Sequence, residues 1–94
     1  MPSFRKTSVD IVIDVRSRIE FFFGHLPGAC CIPVGALADG LKKHSDVTAD
    51  SRILVYCASG ARSALAAAQL RQLGYRRVVD GGALGRARAE FEDA

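Results

Sequence analysis

The chain has 94 residues, enough for one small domain with a single core, and 49% of them are hydrophobic. Thirteen basic residues against ten acidic ones leave a formal charge of +3, too mild an excess to argue for a nucleic-acid or membrane partner. The three cysteines are Cys30, Cys31 and Cys57; an odd number with two adjacent makes a poor disulfide framework and favours a reducing, cytoplasmic setting.

The first ten residues carry basic side chains with no apolar run behind them, so no secretory signal is expected. No apolar stretch is long enough to span a bilayer. "VDIVIDV", 9–15, is β-branched and apolar and predicts a strand buried on both faces. "RIEFFFGH" predicts a short helical turn, in which Phe21, Phe22 and Phe23 cannot all face inward. "LPGA", 26–29, predicts a turn, and "ACCIP" a short strand stopped by Pro33. "VGALADGLKKH" predicts a weak helix, because Gly35 and Gly40 lower its propensity.

"RILVYC", 52–57, predicts a second buried strand. "RSALAAAQLRQLGY" predicts the best helix, with Leu65, Ala66, Gln69, Leu70 and Leu73 on its inner face and Gly74 as its stop. "RRVVD" predicts a strand, "GGAL" a turn, and "GRARAEFEDA" a final helix or frayed tail. Strands alternating with helices predict one α/β domain over residues 1–94. Its expected core is a mostly parallel sheet of four to five strands with helices on both faces.

The chemistry concentrates in "VYCASGARS", 55–63. Cys57 ends a predicted parallel strand, the edge where open α/β sheets hold ligands. Ala58, Ser59, Gly60 and Ala61 are small, so the loop can turn its N–H groups inward. With the positive end of the helix starting near Arg62 or Ser63, they make an anion cradle. A thiol there is expected as a thiolate, reachable from solvent and nucleophilic. A buried structural cysteine is the plainer alternative. Four residues separate Cys57 from Arg62, a ring narrower than the five-residue loop of cysteine-dependent phosphatases, which favours a sulfur-centred group.

In order and spacing, "DVR" at 14–16, "EF" at 20–21, "GHLPGA" at 24–29, "IP" at 32–33, "VYCASGARS" at 55–63, "LGY" at 73–75 and "GG" at 81–82 resemble the rhodanese (sulfurtransferase) family. The resemblance covers most of the chain. It is nearest the short single-domain type, similar to phage shock protein E. It implies a rhodanese-like fold and a thiosulfate sulfurtransferase that carries sulfane sulfur as a persulfide on Cys57. Cyanide or a thiol would accept that sulfur. The six-residue loop of the family falls on Cys57, Ala58, Ser59, Gly60, Ala61 and Arg62. Arg62 would add charge near the incoming anion, and Ser63 would donate a hydroxyl hydrogen bond or cap the helix. The Trp that the family often carries after "GG" is missing.

Other residues carry plainer expectations. Asp14 and Arg16 are expected as support, through an ion pair or bonds to nearby loops. His25 is expected to hold its turn, and Cys30 and Cys31 to be small strand residues. No metal site or cofactor is expected, since adjacent cysteines seldom fit one tetrahedral centre. The expected partners are a small anionic sulfur donor and an acceptor, with a homodimer covering exposed apolar surface. A sulfur-carrier or docking module is the first alternative function, and a small phosphatase or arsenate reductase the second.

Overall fold

A computed structural model describes residues 2–93. In chain order the elements are β1 (Ser3–Phe4), β2 (Thr7–Ser8), β3 (Ile11–Asp14), α1 (Arg18–Phe22), β4 (Cys30–Cys31), a 3-10 turn (Val34–Ala36), α2 (Leu37–Leu41), β5 (Arg52–Cys57), α3 (Ala61–Gln72), β6 (Arg77–Ala83), α4 (Leu84–Glu90) and β7 (Phe91–Glu92). The central sheet has the order β4-β3-β5-β6, and every neighbouring pair is parallel.

Side-chain alternation splits the core in two. Ile13, Val15, Ile53, Val55, Cys57 and Val78 point to one face and pack on Leu37 and Leu41 of α2 and on Ala66, Ala67 and Leu70 of α3. Val12, Leu54 and Tyr56 point to the other face and meet Phe4, Leu26 and Ala87 of α4. The fold is α/β, with four parallel strands between helices, as the alternating pattern predicts.

Three local expectations are corrected. The inner face of α3 is Ser63, Ala66, Ala67 and Leu70, a strict i, i+3, i+4, i+7 stripe. Leu65 and Leu73 are instead about half exposed, at 53% and 54%. Small side chains let α3 lie close to the sheet, and so hold its first turn against Cys57.

The "GGAL" segment is not a turn. β6 runs through Gly81 and Gly82 to Ala83. Its register moves from Val55 opposite Asp80 to Cys57 opposite Ala83, so three steps on β6 match two on β5. Such a bulge needs an unusual backbone, which Gly82 supplies at φ +74°. The Asp80 carboxylate accepts the Gly82 N–H at 2.9 Å.

Of the two expectations for 85–94, the final helix is met by α4 (Leu84–Glu90), and the chain runs on from it into β7. β7 pairs with β1 (Phe4 opposite Phe91), and β1 pairs with β2, making a small antiparallel sheet. The β1–β2 turn places Arg5 and Lys6 at φ 50° and 63°, both left-handed, as a two-residue hairpin turn requires. The strand predicted over 9–15 is shorter, at Ile11–Asp14.

Gly40 lies where α2 crosses the chain after β4. A Cβ added there would stand 2.5 Å from Cγ2 of the buried Ile32. Close approach therefore outweighs helix propensity at this position. Gly40→Ala is expected to destabilise the fold by roughly 1–3 kcal/mol despite alanine's better propensity, read as a lower midpoint in urea unfolding.

Candidate active site

Cys57 is the last residue of β5, at the carboxyl edge of the sheet between the ends of β3 and β6. The chain then turns through exposed Ala58 and Ser59 into Gly60. Gly60 has φ +102°, a left-handed conformation that side chains rarely adopt, and it caps α3. That turn aims two N–H groups at the sulfur: Gly60 donates at 2.9 Å and Ser63 at 3.3 Å. A Cβ on Gly60 would also lie 3.9 Å from Gly82 Cα, so the β6 bulge backs the loop.

The amides point inward as the sequence implies. The expectation of a solvent-reachable sulfur is not met: Cys57 has 0% relative exposure and belongs to the α3-side core. The physical reason is the close seat of α3. The turn that brings its first amides to hydrogen-bonding distance also roofs the sulfur.

Burial pushes the Cys57 thiol up. The Ser63 side chain and the backbone N–H groups of Ser63, Gly60 and Ser59 stabilise the thiolate and outweigh that penalty, leaving the pKa below its ordinary 9.0. The Ser63 hydroxyl has one proton to give. It stands 3.0 Å from the Gly60 carbonyl, or it turns to the sulfur.

Arg62 does not reach toward the sulfur as a free cation. Its guanidinium forks onto Glu20 of α1, Nη1 to Oε1 at 2.7 Å and Nη2 to Oε2 at 3.0 Å. Glu20 is itself held by a capping box. Ser17 N–H and Oγ–H donate to Oε1, both at 3.1 Å, and Glu20 N–H donates back to Ser17 Oγ at 3.3 Å. The hydrogen bond from Arg62 holds the Glu20 carboxyl at about 2, far below its usual 4.5. Sequence reasoning gave Glu20 no role. The signal was present as the S-x-x-E spacing of residues 17–20.

Asp14 and Arg16 form a buried pair beside the loop. Arg16 Nη2 donates to Asp14 Oδ2 at 2.7 Å, and both Nε and the Arg16 backbone N–H reach the same carboxylate. Arg16 also donates to the Gly24 carbonyl, and its guanidinium lies 5.8 Å from the centre of the Tyr56 ring. The Tyr56 hydroxyl accepts the Leu26 N–H at 3.0 Å. Burial first, then Asp14, push that phenol well above its normal range. This network ties the 24–26 turn to β5.

His25 is engaged in its turn: its ring stacks on Phe21 at 3.7 Å, and Nδ1 lies 2.8 Å from the Phe21 carbonyl. Cys30 and Cys31 are half-buried, with their sulfurs against the carbonyls of Val12 and Arg16. Burial raises both thiols, opposite to Cys57. A cavity of about 390 Å³ bordered by Asp10, Ile11 and Cys30 sits at the amino end of β3, away from the Cys57 edge.

A parallel α/β sheet with a strand-end cysteine wrapped by loop amides defines a class of proteins built to hold a nucleophilic thiolate. The rhodanese-like domain matches residues 3–85, and the chain belongs to that family. It is 35% identical over 70 residues to a sulfurtransferase of Allochromatium vinosum, covering 74% of this chain and 63% of that protein. It is 30% identical over 69 residues to the putative sulfur carrier protein YrkF of Bacillus subtilis, covering 73% of this chain and 36% of that one. The chain thus spans less than two thirds of either relative. Among solved structures, a rhodanese with anions from E. coli superposes with a TM-score of 0.74 at 25% identity, over 89% of this chain and 98% of the other.

Two outcomes follow from the site. The ultraviolet absorbance of the Cys57 thiolate should titrate with a midpoint below 9.0, and Ser63→Ala should move that midpoint upward. Because the folded thiol titrates below the unfolded one, its contribution to stability grows as pH rises through the window between them and is lost as pH falls to the folded value. Separately, Asp14→Ala leaves Arg16 buried without its partner. It should destabilise the domain by about 3–5 kcal/mol in urea unfolding.

Proposed function

We propose that this chain is a sulfurtransferase domain that carries sulfane sulfur as a persulfide on Cys57, with thiosulfate as donor and cyanide or a thiol as acceptor. The observation that carries the reading is the pair of backbone N–H groups on Cys57 Sγ, from Gly60 at 2.9 Å and Ser63 at 3.3 Å. They stabilise negative charge on sulfur without a metal or a base.

The thiolate attacks the outer sulfur of thiosulfate. The sulfur–sulfur bond of thiosulfate breaks, sulfite leaves with the bonding pair, and Cys57 keeps the transferred sulfur as a persulfide anion. Cyanide or a thiolate then attacks that outer sulfur and departs as thiocyanate or as a new persulfide, and the Cys57 thiolate returns. Ala58, Ser59, Gly60, Ala61, Arg62 and Ser63 form the segment that leads from the sulfur into α3 and would bind the donor. Asp14 and Arg16 would support the site indirectly, by holding the 24–26 turn against β5.

Cys57 is covered in this conformation, so the donor reaches it as the loop of residues 58–61 gives way. A covered sulfur and a putative carrier among the relatives favour a second reading: a carrier loaded by a dedicated donor protein, with slow turnover of free thiosulfate. The four residues between Cys57 and Arg62 keep the ring narrow, which supports sulfur over phosphoryl chemistry.

The proposed compartment is the cytoplasm; three unpaired thiols agree with it. Among the described residues no helix is long and apolar enough to cross a membrane. The strongly exposed Ile19, Phe22 and Phe23 are the apolar surface a second copy would cover in a homodimer.

Mass spectrometry of the intact protein after thiosulfate treatment tests the reading. The wild-type chain should gain the mass of one sulfur atom, lose it on adding cyanide, and gain nothing as Cys57→Ser. An unloaded wild type after thiosulfate that loads from a protein persulfide donor would establish the carrier reading instead.

A further inference from the structure

Arg62 is the one guanidinium in the loop, and two of its nitrogens are already paired with two oxygens of one carboxylate. This fork is the geometry in which an arginine grips an oxyanion. The occupant is not a loosely swinging side chain. Glu20 is fixed at the third position of α1 by its capping box with Ser17, and its position is set before any donor arrives. Both side chains are partly exposed, 36% for Arg62 and 33% for Glu20, so the pair stands at the mouth of the loop rather than in the core. The donors on the sulfur are neutral, namely the Gly60 and Ser63 N–H groups. The nearest positive charge on the loop is cancelled where it stands.

We propose that Glu20 is a specificity-determining residue: a built-in carboxylate that occupies the Arg62 fork and competes with anionic reagents for the mouth of the Cys57 loop. An anion must displace Glu20 or approach a mouth with no net charge. A neutral reagent meets no such competitor. Glu20 also ties α1 to the loop, so freeing it changes access to Cys57 for reagents of either charge. For the proposed thiosulfate reaction, an inference that rests on that reading, Glu20 keeps donor affinity below what Arg62 would otherwise give.

The test is a charge cycle read by alkylation, which needs no sulfur chemistry. Rates for iodoacetate, an anion, and iodoacetamide, its neutral analogue of similar size, are measured on the folded proteins at one pH and low ionic strength. Their ratio cancels thiolate content and loop access, which affect both reagents alike. Glu20→Gln should raise the iodoacetate-to-iodoacetamide ratio about three- to tenfold, the range for one unscreened charge near a protein surface, and added salt should erase the gain. Arg62→Met, which strands the carboxylate, should lower the ratio. The double variant should return it to the wild-type value. If Glu20→Gln fails to fold, the Arg62→Met arm decides the question in the opposite sense: the ratio should fall and added salt should restore it, and a ratio unmoved there overturns the proposal.

A ratio unmoved by both single variants would overturn the proposal and leave Glu20 as a helix cap alone. Thiosulfate loading kinetics run in parallel separate the two claims. A raised ratio in a protein that never loads sulfur sinks the sulfurtransferase reading and keeps the role of Glu20. Normal loading with an unmoved ratio does the reverse.

Discussion

The structure depends on two short N–H···S contacts. A sulfur anion removed from water is unfavourable unless donors replace the lost hydration. Gly60 and Ser63 supply them from the main chain, where they need no further ordering and carry no charge of their own. Each surrounding feature serves that geometry. Gly60 must lie at φ +102° for its N–H to turn inward. The small inner face of α3 lets the helix come close enough for Ser63 to reach. The β6 bulge backs the loop at Gly82. The same closeness buries the sulfur, so stabilising the anion and exposing it are opposed demands on one segment.

Two ion pairs flank the loop and behave differently. Asp14 and Arg16 are buried, multiply bonded, and linked through Gly24 and Tyr56 to the turn preceding β4. Desolvation makes such a pair costly to break and a modest net contributor while whole. Glu20 and Arg62 are partly in water, where pairing adds little to stability. Their effect is local: they set the net charge at the mouth of the loop and couple α1 to it. The first pair belongs to the scaffold, and the second touches what the loop can bind.

Much of this was legible in the sequence because the signals were local. A β-branched run, a cysteine, four small residues and an alanine-rich helix have few other structural solutions, and β5, the loop and α3 lie close to where that pattern puts them. The missed features depend on contacts between distant residues. The β1–β2 turn is built on Arg5 and Lys6 in left-handed backbone, without the Asn-Gly that would announce it. Gly81 and Gly82 suggest a turn, yet β5 draws them into the sheet as a bulge. Leu65 and Leu73 outrank Ala67 in hydrophobicity, but close packing of α3 favours the smaller residue. Glu20 carried a readable capping signature, while its grip on Arg62, forty-two positions away, appears only once the chain has folded.

The most direct test follows the amide protons of Gly60 and Ser63 by NMR while the Cys57 thiol is titrated. If their N–H groups hold the thiolate, both resonances move downfield together, with one midpoint below 9.0, and neither transition survives in Cys57→Ser. Amide shifts that stay flat while the thiol ionises, or a shared midpoint at or above that value, would contradict the account.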